Sequence, residues 1–275
     1  MIILSQLLLV LVGATNAAPV KDPLVAVFVD AKTEAKLGAF PYDRKVYADA
    51  IGKLKDAGAR AVVVKFFLDQ AKTEAGDAAL EAALKSVPCF LQARIDDTEK
   101  SPNELPARFA VAQASGSFAG VPTGRSGWIP IKRFADAAAG VGFVDLRSAD
   151  EPFAIPLVER YRGAVVPSLY LSVLQRVFGG DLSATDAAVT IGKRTVRVDG
   201  HGEVAVKRAA PGPEVVSLLD LLEGRADPKL FAGRIVELGY DGDKQPQFKT
   251  PRGTLNAHRL FFYALADLYP RFAPK

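Results

Sequence analysis

Residues 24–67 read LVAVFVDAKTEAKLGAFPYDRKVYADAIGKLKDAGARAVVVKFF. Two short apolar runs, LVAVFVD at 24–30 and AVVVKFFL at 61–68, flank a polar loop and an amphipathic segment. The first run is rich in β-branched and aromatic residues and lacks helical spacing, which predicts a buried strand. Pro41 and Asp43 mark a helix start, because an Asp at that position accepts a bond from the free N–H groups of the first turn. Val46, Ala50, Ile51, Leu54 and Ala57 then share one helical face, and Gly58 ends the helix. A strand, a crossover helix and a second buried strand in so few residues require parallel pairing.

The same alternation continues outward. A helix is predicted from Asp77 to Ser86, with Glu81 and Lys85 spaced to pair, and PCFLQARI at 88–95 is a third strand. Residues 96–130, broken by four prolines and four glycines, read as irregular loop around a short helix near 105–114. GVGFVDLR at 140–147 is another strand, and PSLYLSVLQRVF at 167–178 is a helix with proline at its entry. Residues 187–208 alternate apolar and polar types around Gly192-Lys193 and Asp199-Gly200, which predicts a small antiparallel meander. SLLDLLEGR is a short helix ended by Gly224, and GRIVELGY at 233–240 is one more buried strand. DGDKQPQFKTPRGT is read as loop, and LNAHRLFFYALADLY as a final helix stopped by Pro270. The fold class is therefore α/β: a mostly parallel central sheet flanked by helices, with the meander near 187–208 inserted.

MIILSQLLLVLVGATNAAP has the form of an export signal, with an apolar stretch from Ile2 to Val12 followed by small residues. Thr15 and Ala17 suit cleavage before Ala18, so residues 1–17 are expected to be a signal peptide and 18–275 one domain. The product is then periplasmic or secreted. No later segment approaches the roughly 18 apolar residues of a transmembrane helix. The chain of 275 residues carries a net charge of +4, with 35 basic residues spread among 31 acidic ones. No basic stripe interleaved with aromatics exists, which argues against nucleic acid; weak attraction to an anionic membrane surface is the one membrane contact this charge permits. The single cysteine, Cys89, lies in an apolar run and is read as a buried, inert thiol.

The series of segments resembles the second type of CHASE domain, an extracytoplasmic sensor module of bacterial adenylate cyclases, histidine kinases and Ser/Thr kinases. The residues that carry the likeness are Asp30, Gly38, Pro41, Arg44, Gly58 and Ala59 around the first helix. The Pro-Ser helix at 167–178 continues it, and Gly239, Thr250, Pro251, Gly253 and His258 near the end complete it. The resemblance spans about residues 24–269. In two places the chain departs from the family pattern: Lys65 and Pro246 stand where members usually carry Asp. It implies a sensing module, here without transmembrane or output segments.

Asp30, Arg44, Lys65, Asp241, Thr250 and His258 are the candidate ligand-binding residues, since ligands of open parallel sheets gather at the carboxyl ends of strands. Each also has a structural reading. Asp30 can cap the following loop, and Arg44 can pair with a carboxylate, Asp30 among the choices. Lys65 can meet Asp30 or Asp69. His258 can bond a strand-end carbonyl or Asp241, while His201 is read as exposed. Two histidines and one cysteine far apart in sequence make no metal constellation, and the Asp241/Asp243 pair lacks the ligand count of a calcium loop. No nucleophile elbow, phosphate loop or dinucleotide fingerprint is present, so neither metal nor cofactor is expected. The expected function is a non-enzymatic sensory module binding an unknown small ligand or an envelope protein. The alternatives are a periplasmic hydrolase built on Asp30, Lys65 and His258, which requires those three to converge, and a structural envelope protein.

Overall fold

The computed structural model describes residues 23–98, 101–146, 152–207, 212, 214–250 and 253–274. The expected signal peptide lies outside them. Six strands form the parallel core: β1 (Leu24–Val29), β2 (Ala61–Val64), β3 (Cys89–Ile95), β4 (Gly140–Phe143), β5 (Glu214–Ser217) and β6 (Ile235–Tyr240). Their order across the sheet is β5-β1-β6-β2-β3-β4, and Gly127–Trp128 adds a short antiparallel pairing at the end of β3. The last strand in sequence thus sits between the first two.

Alternation along each strand divides the core. Val25, Val27, Val29, Val62, Val64, Val236 and Leu238 face one layer, and Ala26, Phe28, Ala61, Val63, Phe90 and Ile235 face the other. Because both faces are covered, β1 and β2 read as continuous apolar runs. The first layer holds α2 (Arg44–Asp56), α3 (Glu74–Ser86), α4 (Lys132–Ala137) and α6 (Leu218–Leu222). The second holds α5 (Leu169–Phe178) and α7 (Ala257–Phe272), with small sheets outside them. Ile51 and Leu54 of α2 are fully buried, worth about 1.5–3 kcal/mol apiece.

Several expected boundaries are corrected. The polar loop after β1 begins with a helix, α1 (Ala31–Leu37), capped by Asp30. The second strand ends at Val64, so Lys65 lies just past it, and β4 ends at Phe143. The third helix begins at Glu74 because Thr73 caps it, and α5 begins at Leu169 behind a Ser168 cap, Pro167 closing the preceding strand. Only Ala107–Phe109 is helical in the 105–114 region. The meander near 187–208 is divided between two sheets. Ala188–Ile191 and Arg194–Arg197 join Leu182–Thr185 and Gln113–Ser115, whereas Glu203–Val206 pairs with Phe153–Pro156. The expected loop before the last helix contains a hairpin, Gln247–Thr250 with Gly253–Asn256. α7 continues through Pro270 to Phe272, since a proline so near the end sacrifices only one bond of a fraying last turn.

Candidate functional site

A cleft of about 590 Å³ opens at the carboxyl ends of the parallel strands. Its lining comes from the segment between α1 and α2, from residues following β2, from Gln92 on β3 and from Gln245 beyond β6. Aromatic rings build one wall. Phe40 stacks on Tyr240 with centroids 4.6 Å apart, Tyr47 stacks on Phe66 at the same distance, and Phe40 lies 5.4 Å from Phe66. Phe67 meets Trp128 edge-on at 4.6 Å.

Lys65 lines this cleft and is only 4% exposed. Its Nζ stands 4.2 Å from the centroid of the Phe261 ring. Burial lowers its pKa to about 8, against a smaller opposing pull from Glu237. Glu237, one strand over on β6, is buried and neither carboxyl oxygen has a hydrogen-bond partner among the described residues. Burial pushes that carboxyl well above the ordinary range, while the Lys65 charge opposes the shift. The partner of Lys65 is therefore neither Asp30 nor Asp69; the nearest carboxylate in Coulombic terms is Glu237, and the two are not in contact. Gln92 donates from Nε2 to the Lys65 carbonyl at 3.2 Å, fixing the backbone at the strand end.

His258, buried at the start of α7, accepts a bond at Nδ1 from the Tyr240 amide at 2.8 Å. Its partner is thus a backbone N–H, not the carbonyl or Asp241 that sequence suggested. Burial, and after it the Lys65 charge, push its pKa well below the usual value, so the ring is neutral with its proton on Nε2. Gly239 permits this approach: a Cβ there would lie 2.9 Å from Nδ1. Asp241 instead binds Arg259, whose Nε donates to Oδ1 at 2.5 Å and whose Nη2 donates to Oδ2, and it also accepts from Asn256.

Arg44 is paired, but with Asp77 of α3 at 3.3 Å and not with Asp30. α2 and α3 lie side by side, whereas Asp30 is occupied at the other end of α1. There its Oδ1 accepts from the Thr33 amide, the Thr33 hydroxyl and the Ser217 hydroxyl. Thr250 donates to the Gly253 carbonyl across its hairpin turn. The structure thus brings Lys65 and Arg44 to the cleft and His258 close behind Lys65, and leaves Asp30, Asp241 and Thr250 outside its lining. No hydrogen bond joins any two of Asp30, Lys65 and His258 among the described residues, so the convergence required of a hydrolase is not found. Glu237 and Asp77 were missed. Both are acidic residues inside otherwise apolar segments, RIVELGY and the α3 face, and that isolation was the available signal.

A family model of the CHASE2 domain matches residues 4–269. The chain belongs to the CHASE2 family. CHASE2 domains are extracytoplasmic sensor domains, and the strand-end cleft of this CHASE2 fold is lined by two of the expected site residues, Arg44 and Lys65. No curated protein and no solved structure matches the chain. Among the described residues, no helix is long and apolar enough to cross a membrane, and no group of three or more His, Cys, Asp or Glu could hold a metal ion.

Proposed function

We propose that residues 18–275 form one exported, non-enzymatic sensory domain that binds a small ligand in the strand-end cleft. The observation that carries this reading is the cleft itself. It is open, about 590 Å³ in volume, walled by aromatic rings and placed where parallel α/β sheets gather ligands. Arg44, Asp43 and His258 beside it are each engaged in a fixed contact, an arrangement that holds a receptor's shape and offers no nucleophile–base couple. Export follows from the leader, with the periplasm as destination. A structural envelope protein would have no use for an open cavity of this size.

The test has two arms. The full-length gene is expressed in a bacterial host, the envelope fraction is separated, and the product's N-terminus is sequenced; Ala18 is the expected first residue. The purified protein and a Gln245→Trp variant, which places a bulky ring at the mouth, are then screened by thermal shift against a metabolite library. A compound that stabilises the wild type and fails with the variant supports the cleft. A library in which every stabilising compound acts equally on both proteins removes it.

A further inference from the structure

Lys65 presents an unfinished electrostatic arrangement. An ammonium that is 96% removed from solvent ordinarily needs an anion in contact, yet no carboxylate approaches Lys65 within ion-pair distance among the described residues. Its visible partner is the face of Phe261, and a cation–π contact returns less than the desolvation of a buried charge costs. The charged and titratable groups around it are Glu237 of β6, His258 of α7 and, more distantly, Tyr170 of α5 and Arg259 of α7. His258 is neutral and Arg259 is held by Asp241. Glu237 has no donor on either oxygen and is driven toward its neutral acid by burial. Of the other charges at the cleft, Arg44 is held by Asp77 and the Gln70 carbonyl and Asp43 by the Lys45 amide at the start of α2, while Asp69 and Lys72 complete the charged lining.

From this geometry, and resting on the reading of the cleft as a ligand site, we propose that the ligand is a small organic anion. Its carboxylate takes the open side of the Lys65 ammonium, and its apolar or aromatic body lies against Phe40, Tyr47 and Phe66. The carboxylate supplies the contact that Glu237 is too far away to give. The ring wall accounts for the body, since stacked aromatics at the mouth of a cavity bury flat apolar surface well. The charged lining sets Lys65, Arg44 and Lys72 against Asp43 and Asp69, which leaves a single positive charge for a ligand to balance. The ligand class is therefore an organic monoanion.

Three probes of one shape separate charge from fit: phenylacetate, phenylacetamide and phenethylamine. Binding to the full-length protein is followed through Trp128, the sole tryptophan, which contacts the cleft residue Phe67, and independently by thermal shift. Phenylacetate is expected to bind at least about tenfold tighter than phenylacetamide, the factor that one charge-assisted bond of roughly 1.5 kcal/mol provides, and phenethylamine more weakly still. Lys65→Met, which keeps the stem and removes the charge, should bring phenylacetate down to the level of the amide; Lys65→Gln serves as a second neutral variant. The comparison of the three probes on the wild type needs no variant at all. Equal binding of acid, amide and amine overturns the anion assignment while leaving the cleft as a site, and so does full phenylacetate affinity in a folded Lys65→Met protein. Absence of binding by all three also overturns it. The Gln245→Trp comparison fails separately if the cleft is no site.

Discussion

The Nδ1 atom of His258 accepts the backbone N–H of Tyr240, the last residue of the central strand β6, at 2.8 Å. This bond ties the first turn of α7 to the end of the strand, and it exists only while the imidazole is neutral. Protonation would set one N–H against another in a buried site that also feels the positive charge of Lys65.

An acid-side instability follows. The folded-state pKa of His258 lies well below 6.5, so the unfolded chain binds the proton more readily. The contribution is fully present above pH 6.5 and is lost as pH falls through the folded pKa, with a limiting slope of about 1.4 kcal/mol per pH unit. His258→Asn retains a side-chain acceptor and should flatten the dependence of the melting temperature on pH between 6.5 and 4.5. His258→Leu leaves the amide unpaired and should cost about 1–3 kcal/mol at neutral pH. A wild-type melting temperature that tracks the Asn variant at every pH would show that the imidazole does not control this joint.

A second titration has the opposite sign. Glu159 is fully buried in the strand Val158–Tyr161, and burial together with the adjacent Asp145 carboxyl raises its pKa well above the ordinary value. Asp145 accepts from the Ile95 amide and has Arg94 at 3.8 Å, whereas no N–H reaches either oxygen of Glu159 among the described residues. The two carboxyl groups meet with a proton between them, as paired acids do. A raised acid pKa favours folding below about pH 4.5, and that advantage disappears as pH rises through the folded value. Glu159→Gln replaces the shared proton with a permanent amide donor. It should match the wild type in stability near pH 4.5 and exceed it by about 1–3 kcal/mol at pH 8. Denaturant unfolding at the two pH values measures the difference, and an equal gap at both would show that the pair does not share a proton.

The parallel strands were legible because burial on both faces writes them as apolar runs: LVAVFV, AVVV and CFLQARI announce themselves. The order β5-β1-β6 was not legible, because which strand inserts between two others is decided by layer packing and crossover handedness, not by local pattern. The hairpin at Gln247–Asn256 passed as loop since half its residues are exposed and polar, which removes the alternation that a half-buried strand displays. Lys65 was visible as an anomaly, a charge following three valines. Its true surroundings could not be read, because Glu237 and Phe261 reach it from β6 and α7, about 170 to 200 residues away in sequence. Asp30, Arg44 and His258 were recognisable as fixed points, but of these only Asp30 has a partner nearby in the chain.

The junction between β4 and α5 offers a steric test. A Cβ on Gly142 would lie 2.3 Å from the Leu169 Cα and 2.4 Å from its amide nitrogen, distances that only movement of the helix backbone could relieve. The helix cannot retreat easily: the Ser172 hydroxyl donates to the Val141 carbonyl, and Leu169, Val173 and Leu174 are fully buried. Gly142→Ala should therefore cost at least the roughly 1–3 kcal/mol of ordinary overpacking and reduce soluble yield. Gly52→Ala in α2, where a Cβ meets nothing within 4 Å, is the control and should be neutral or stabilising. Equal melting temperatures for the two variants would mean that α5 does not press on β4 as described.

The Arg44–Asp77 pair decides how α2 is held against α3. Arg44 is 5% exposed and Asp77 3% exposed. The guanidinium reaches Asp77 at 3.3 Å through Nε, donates from Nη2 to the Gln70 carbonyl at 2.6 Å, and lies 5.2 Å from the Phe134 ring centroid. Asp77 in turn accepts the Lys72 amide at 2.8 Å and so organises the loop that borders the cleft. Removing either partner strands a buried charge, which typically costs about 3–5 kcal/mol. Arg44→Ala and Asp77→Ala should each lose that much by denaturant unfolding, and Arg44→Ala/Asp77→Ala should lose clearly less than the sum, because the double variant has no stranded charge. Arg44→Lys keeps the charge and lacks the planar fork that serves Asp77 and Gln70 together, so it should fall between wild type and Arg44→Ala. Additive losses in the double variant would place the two side chains in separate environments and remove the pair as the brace between the helices.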